Sequence, residues 1–190
     1  MTEAQQSRGR LKVVAIALLF FGPLGVATWM YSAGVLTPDS RSNSGDLLVP
    51  IVNLPERLPD SPLADREDRK WLMLYRNTAD CDAACRDALY RMRQIRLMLG
   101  NDMSRVERVF LHGDTAPDRV LIDTEHNGLE TITDKGLDTL LGDKRPTGRK
   151  AGGIWLIDPL GNLVMYFPPD LEPREVVDDM EHLLDLARIG

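Results

Sequence analysis

The feature that most constrains this chain is the segment Val13 to Ala33, VVAIALLFFGPLGVATWMYSA, which lies in a stretch without charge between Lys12 and Asp39. At 1.5 Å per residue, about twenty such residues cross a hydrocarbon core of about 30 Å. Gly22 and Pro23 would weaken a soluble helix, but membrane spans tolerate both. Trp29 and Tyr31 gather at the far end, where aromatic rings favour the interface. A buried core helix with no polar stripe fits poorly in a chain of 190 residues. A cleaved signal peptide competes, but its apolar region is usually about 7–15 residues, and Tyr31-Ser32-Ala33 offers no good small-x-small site. The expectation is an uncleaved anchor over residues 13–33.

Flanking charge gives an orientation. Arg8, Arg10 and Lys12 precede the span, whereas Thr37, Pro38 and Asp39 follow it. Basic flanks stay inside, so residues 1–12 are expected in the cytoplasm and the remainder outside, in a bacterium the periplasm. Those basic residues set against Glu3 give the N-terminus +2, leaving −8 for the rest of a chain whose total is −6. An acidic exported domain argues against nucleic acid as a partner.

Residues 34–68 hold Pro38, Pro50, Pro55, Pro59 and Pro62 and read as an extended linker. Its apolar run, Leu47 to Leu54, has the alternative of packing as an edge strand, where proline is tolerated. Residues 69–190 suffice for one domain with one core. Trp71 to Tyr75 reads as a buried strand. The spacing of Ala88, Met92, Ile95 and Leu99 predicts a helix over 82–99. Val106 to Leu111 gives a second strand, and helices are expected over 116–125 and from Thr133 to about Gly142. Ile154–Ile157 and Leu163–Tyr166 flank Asp158-Pro159-Leu160-Gly161-Asn162 as a β-hairpin. A last amphipathic helix covers 172–189. This order places a mixed sheet between helices, an α/β architecture.

The chemistry falls to Cys81 and Cys85, the only cysteines, four apart between the first strand and the first helix of the domain. A thiol at a helix N-terminus meets the positive end of the dipole and unpaired N–H groups. Such a pair can close as a disulfide, exchange electrons with another dithiol, or hold a soft cation such as Cu(I). A static local disulfide is the plain alternative. Nothing else in the domain suggests an acid–base or hydrolytic centre.

The strand followed by CxxxC at a helix start, then VFLHGDTAPD, then WLIDPLGNLVMYF and a terminal helix, all behind one N-terminal span, resembles the Sco/SenC family over roughly residues 65–188. Those proteins are membrane-anchored and thioredoxin-like, bind copper and help assemble the Cu(A) centre of cytochrome c oxidase. The resemblance implies Cys81 and Cys85 as copper-binding or redox-active residues, Cu(I) as the metal and a respiratory oxidase subunit as partner. The sequence departs from the family at two places. Arg86 stands where the family has proline. Lys150 falls at or near the position of the family's histidine ligand, and a protonated lysine has no lone pair for a metal. His112 is a candidate substitute ligand, while His126 and His182 read as surface residues. Lys144, Arg145, Arg149 and Lys150 fall beside the expected site, where they would lower thiol pKa values or dock an acidic partner, with a solvated loop as the equal alternative.

Thioredoxins differ again, with two residues between the cysteines and a cis-proline where this chain has Gly152-Gly153. Three readings stay open: an oxidase-assembly factor acting as thiol reductant or copper carrier, a general membrane-tethered oxidoreductase acting on another periplasmic dithiol protein, and a redox-inert binding scaffold. In the exchange readings Cys81 is expected to attack and Cys85 to resolve.

Overall fold

The structure is a computed structural model that describes residues 3–32 and 43–187 of the chain. It divides into two compact units, residues 1–42 and 43–190. In the first, helix α1 runs Glu3–Ser32 and contains Pro23. Its described side chains are Lys12 and those of residues 16–30. Among the described residues no helix is long and apolar enough to cross a membrane. The ends of the expected span, residues 13–15 and 31–33, lie outside the described side chains.

The second unit is a six-stranded mixed sheet with strand order β1-β6-β5-β2-β3-β4. The strands are β1 (Asp46–Asn53), β2 (Trp71–Asn77), β3 (Val106–His112), β4 (Leu129–Ile132), β5 (Ile154–Ile157) and β6 (Asn162–Phe167). The helices are α2 (Leu54–Arg57), α3 (Ala83–Met98), α4 (Arg119–Glu125), α5 (Lys135–Lys144) and α6 (Pro173–Leu186). Strand β2 pairs in parallel with β3, and β3 with β4. On its other side β2 pairs antiparallel with β5, which pairs antiparallel with β6.

Two cores follow from strand alternation, because successive side chains on β2 point to opposite faces. Met73 and Tyr75 join Leu89, Met92 and Ile95 of α3 and Val177 and Met180 of α6. Leu72 and Leu74 join Leu137 and Leu141 of α5 and Leu54 of α2. Full burial of each such side chain is worth about 1.5–3 kcal/mol. Helix α3 starts at its N-cap Asp82, and Gly100 (φ 57°) follows its end in a left-handed conformation. The Arg105 guanidinium donates to the Leu184 and Ala187 carbonyls at 3.1 and 3.2 Å, serving the C-terminal end of α6.

The linker expected over 34–68 does not describe residues 46–68. Strand β1 lies antiparallel against β6 at the sheet edge, its register shifting between Leu47 and Val52. Pro50 sits within that shift and has no N–H to give a ladder. Just before β1, Ser44 and Gly45 donate their backbone N–H groups to the buried Asp179 of α6 at 3.1 and 2.8 Å. Farther on, Arg66 pairs with Asp68, Glu107 and Glu130, fastening the segment before β2 to β3 and β4. Residues 34–42 of the linker lie outside the described residues. Strand β4, buried only at Leu129 and Ile132, carries no alternation by which to predict it.

Candidate functional site

The site stands at the ends of β2 and β3, which run side by side to Asn77 and His112. There the two strands leave the sheet close together: a Cβ on Gly113 would collide with the Thr78 carbonyl oxygen. Only glycine fits that approach. Cys81 lies between β2 and α3, and Cys85 in the first turn of α3. The two are joined as a disulfide with Cα atoms 5.1 Å apart.

Their surroundings differ. Cys85 is 1 % exposed and belongs to the core under α3, whereas Cys81 is partly exposed. Cys81 lines a cleft of about 540 Å³ together with Arg86, Phe110, His112, Pro117 and Asp118. At the helix start, the Cys85 N–H donates to Asp82 Oδ1 at 3.0 Å, and the Arg86 N–H to the Asp82 carbonyl at 3.0 Å. The expected unpaired N–H groups are therefore partly used, and the cap places a carboxylate next to the thiols. Burial, with the charge of Asp82 adding, pushes the Tyr75 hydroxyl up to about 12. Tyr75 stacks on Phe110 at 5.7 Å, and Phe110 stands 5.9 Å from the His112 ring.

The structure thus brings His112 into the same cleft as Cys81. Its Nδ1 lies 2.8 Å from the Gly113 carbonyl oxygen. As arranged, the residues do not make a three-ligand copper site: among the described residues no three His, Cys, Asp or Glu side chains are grouped to hold a metal. Lys150 is exposed, and its carbonyl accepts a hydrogen bond from the Tyr166 hydroxyl.

The basic loop is not assembled at the cleft. Lys144, Arg145, Arg149 and Lys150 are absent from its lining. Arg149 instead forms a two-pronged pair with Asp46 of β1, at 2.6 and 3.0 Å. Gly153, near where thioredoxins carry their cis-proline, is held by packing, since a Cβ there would strike the Phe167 carbonyl and the Tyr166 ring. His182 is exposed, as expected, but His126 is not a surface residue. It caps the C-terminus of α4 and is 1 % exposed. Its position before Asn127-Gly128 reads as a solvated turn, whereas the ring is buried and feels the charges of Arg108, Glu125 and Arg93.

Sequence reasoning missed Asp82 as the cap and Phe110 as part of the cleft wall. Asp82 had a readable signal, an N-cap residue directly after Cys81.

A search of curated proteins finds no match. Among solved structures, apo Sco1 from Thermus thermophilus is 14 % identical with a TM-score of 0.53, covering 76 % of this chain and 99 % of that one. Yeast Sco1 gives 16 % identity and a TM-score of 0.52 over 64 % of this chain and 83 % of its own. The copper-bound yeast Sco1 gives 18 % and 0.50 over 64 % and 81 %. At these identities the likeness establishes a shared thioredoxin-like fold. A family model described as "Transmembrane-like, N-terminal domain" matches residues 4–34. The model "Transmembrane-like, thioredoxin-like, C-terminal domain" matches residues 71–187, and the chain belongs to that transmembrane-like, thioredoxin-like family.

Proposed function

We propose that this protein is a membrane-tethered, periplasmic thiol-disulfide protein that assists cytochrome c oxidase assembly by reducing the cysteines of the Cu(A) site. The observation that carries the reading is the unequal exposure of the pair, with Cys81 open to a cleft and Cys85 in the core. An exchanging dithiol needs one accessible sulfur to attack and a second, close and protected, to resolve.

In the reduced protein the Cys81 thiolate attacks one sulfur of a substrate disulfide. A mixed disulfide forms, and the other substrate sulfur leaves as a thiolate and takes a proton. Cys85, deprotonated, then attacks Cys81 Sγ, closing the Cys81–Cys85 bond and releasing the second substrate thiol. Two electrons pass to the substrate, and a dithiol donor restores the pair. The oxidase as partner rests on the Sco/SenC resemblance of the sequence and on the fold shared with Sco1 structures.

The tether is α1. From Ile16 to Trp29 the described residues carry no charge, the Thr28 hydroxyl is turned back to the Leu24 carbonyl, and Leu18, Leu19, Phe20, Phe21 and Leu24 are all more than 60 % exposed. An uncharged, outward-facing helix with basic residues before it supports a single span over residues 13–33, with 1–12 cytoplasmic and the domain outside. On this reading the protein belongs to a bacterial inner membrane.

A second reading, copper delivery, is favoured by the closeness of the two cysteines: a reduced pair would present two thiolates to Cu(I), here a cargo.

The test uses the full chain in detergent carrying Cys85→Ser, mixed with an oxidised peptide that bears a dithiol copper site. A mixed disulfide on Cys81, found by mass spectrometry and absent in Cys81→Ser, is expected. Absence of any adduct contradicts exchange and returns the pair to a static crosslink.

A further inference from the structure

A second pocket, of about 240 Å³, lies between α3 and the β3–β4 side of the sheet, lined by Arg93, Arg96, Arg108, Thr124, Glu125 and Asn127. Three guanidiniums share it with one carboxylate. Arg93 and Arg96 are three apart on α3 and so lie on one face. Arg108 comes from the interior of β3 and is 3 % exposed.

None of the three is matched by a carboxylate among the ion pairs of the described residues. Arg93 donates to the Glu125 carbonyl at 2.8 Å, Arg96 to the Val106 carbonyl at 2.7 Å and Arg108 Nη2 to the Asn127 carbonyl at 2.6 Å. Neutral carbonyls use only part of the five N–H donors that each guanidinium carries. Arg108 Nε and Nη1 are buried without any protein partner. Burial first, then the charges of Arg96 and Arg93, bring Arg108 down to about 10. A buried cation with spare donors, repelled by two more, is costly unless an anion joins it.

We infer that this pocket binds a small oxyanion, a phosphate, sulfate or carboxylate group, held by Arg93, Arg96 and Arg108. Planar guanidinium forks match such groups and make charge-assisted hydrogen bonds to them. The Glu125 carboxylate is the internal competitor. Thr124 and Glu125 line the Cys81 cleft as well, so the two cavities share one wall.

The test is a titration of the full chain in detergent with inorganic phosphate, followed by phosphorus NMR at an ionic strength held constant with chloride. Sulfate and acetate as competitors separate a tetrahedral ligand from a carboxylate, and displacement by either supports the site. Saturable binding with a Kd of about 1 mM or tighter is expected. Arg93→Gln and Arg96→Gln, both on the partly exposed helix face, should each weaken it about tenfold. Glu125→Gln should tighten it, and Cys81→Ser should leave it unchanged. No saturation by about 10 mM of any of the three anions overturns the inference. So does a Kd that neither arginine substitution changes.

Discussion

The two ends of α3 treat a reactive group in opposite ways. At its start, Cys85 is buried with its amide taken up by the Asp82 cap and its sulfur bonded to Cys81. Along its second half, Arg93 and Arg96 face Arg108, a buried cation that keeps two nitrogens unpaired. The first region is satisfied by the protein itself and opens through one atom, the Cys81 sulfur. The second is left unsatisfied and asks for a ligand. A nucleophile has to be held until its substrate arrives, whereas a binding site has to have donors to spare.

The largest expected effect breaks the first region. Cys81→Ser should reduce disulfide exchange by at least about a thousandfold, because the accessible sulfur is the attacking atom. Single-turnover kinetics with an oxidised dithiol peptide checks this, and substantial residual rate would move the attack to Cys85. The second region breaks in the direction of stability. Arg108→Met exchanges a buried unpaired charge for an apolar side chain and should raise the unfolding free energy by about 1–3 kcal/mol in phosphate-free buffer. Urea titration measures it, and the gain should shrink when phosphate is added.

Asp82 offers a finer cut, since it both caps α3 and sets a negative charge beside the thiols. Asp82→Asn keeps a good cap and removes the charge, so exchange should quicken about threefold as the thiolate becomes easier to form. Asp82→Ala, which loses the cap as well, should cost about 1 kcal/mol of stability. Stopped-flow kinetics and urea unfolding separate these two effects.

The smallest effect is one of pH. Burial, then Arg108, holds the His126 imidazole below its ordinary value of 6.5. Below that value the unfolded chain takes up the proton before the folded one does, so stability falls as pH drops from there toward the lowered folded value. Urea midpoints at pH about 7 and about 5 should show the decline, and His126→Gln should diminish it.

Much of this was legible from residue pattern. The helix expected over 82–99 is Ala83–Met98, the hairpin strands lie within one residue of their expected limits, and the terminal helix is Pro173–Leu186. Long amphipathic or uniformly buried segments announce themselves, because one periodicity governs them. Strand β4 did not, since only Leu129 and Ile132 of its four residues are buried. Strand β1 was left between linker and edge strand because prolines and apolar residues alternate there. At the site, the cysteines were readable from spacing alone. The arginine pocket was not: Arg108 is a lone basic residue in a strand, and its meeting with Arg93 and Arg96 depends on how α3 crosses back to β3.

The central claim is that the Cys81–Cys85 pair exchanges rather than merely crosslinks. Its midpoint potential tests that most directly, measured on the full chain in detergent equilibrated with thiol–disulfide buffers and read by alkylation of the freed cysteines. The account predicts a value above about −300 mV, with the pair opened by a dithiol donor. A value below that limit, with a disulfide that the donor leaves intact, would contradict it.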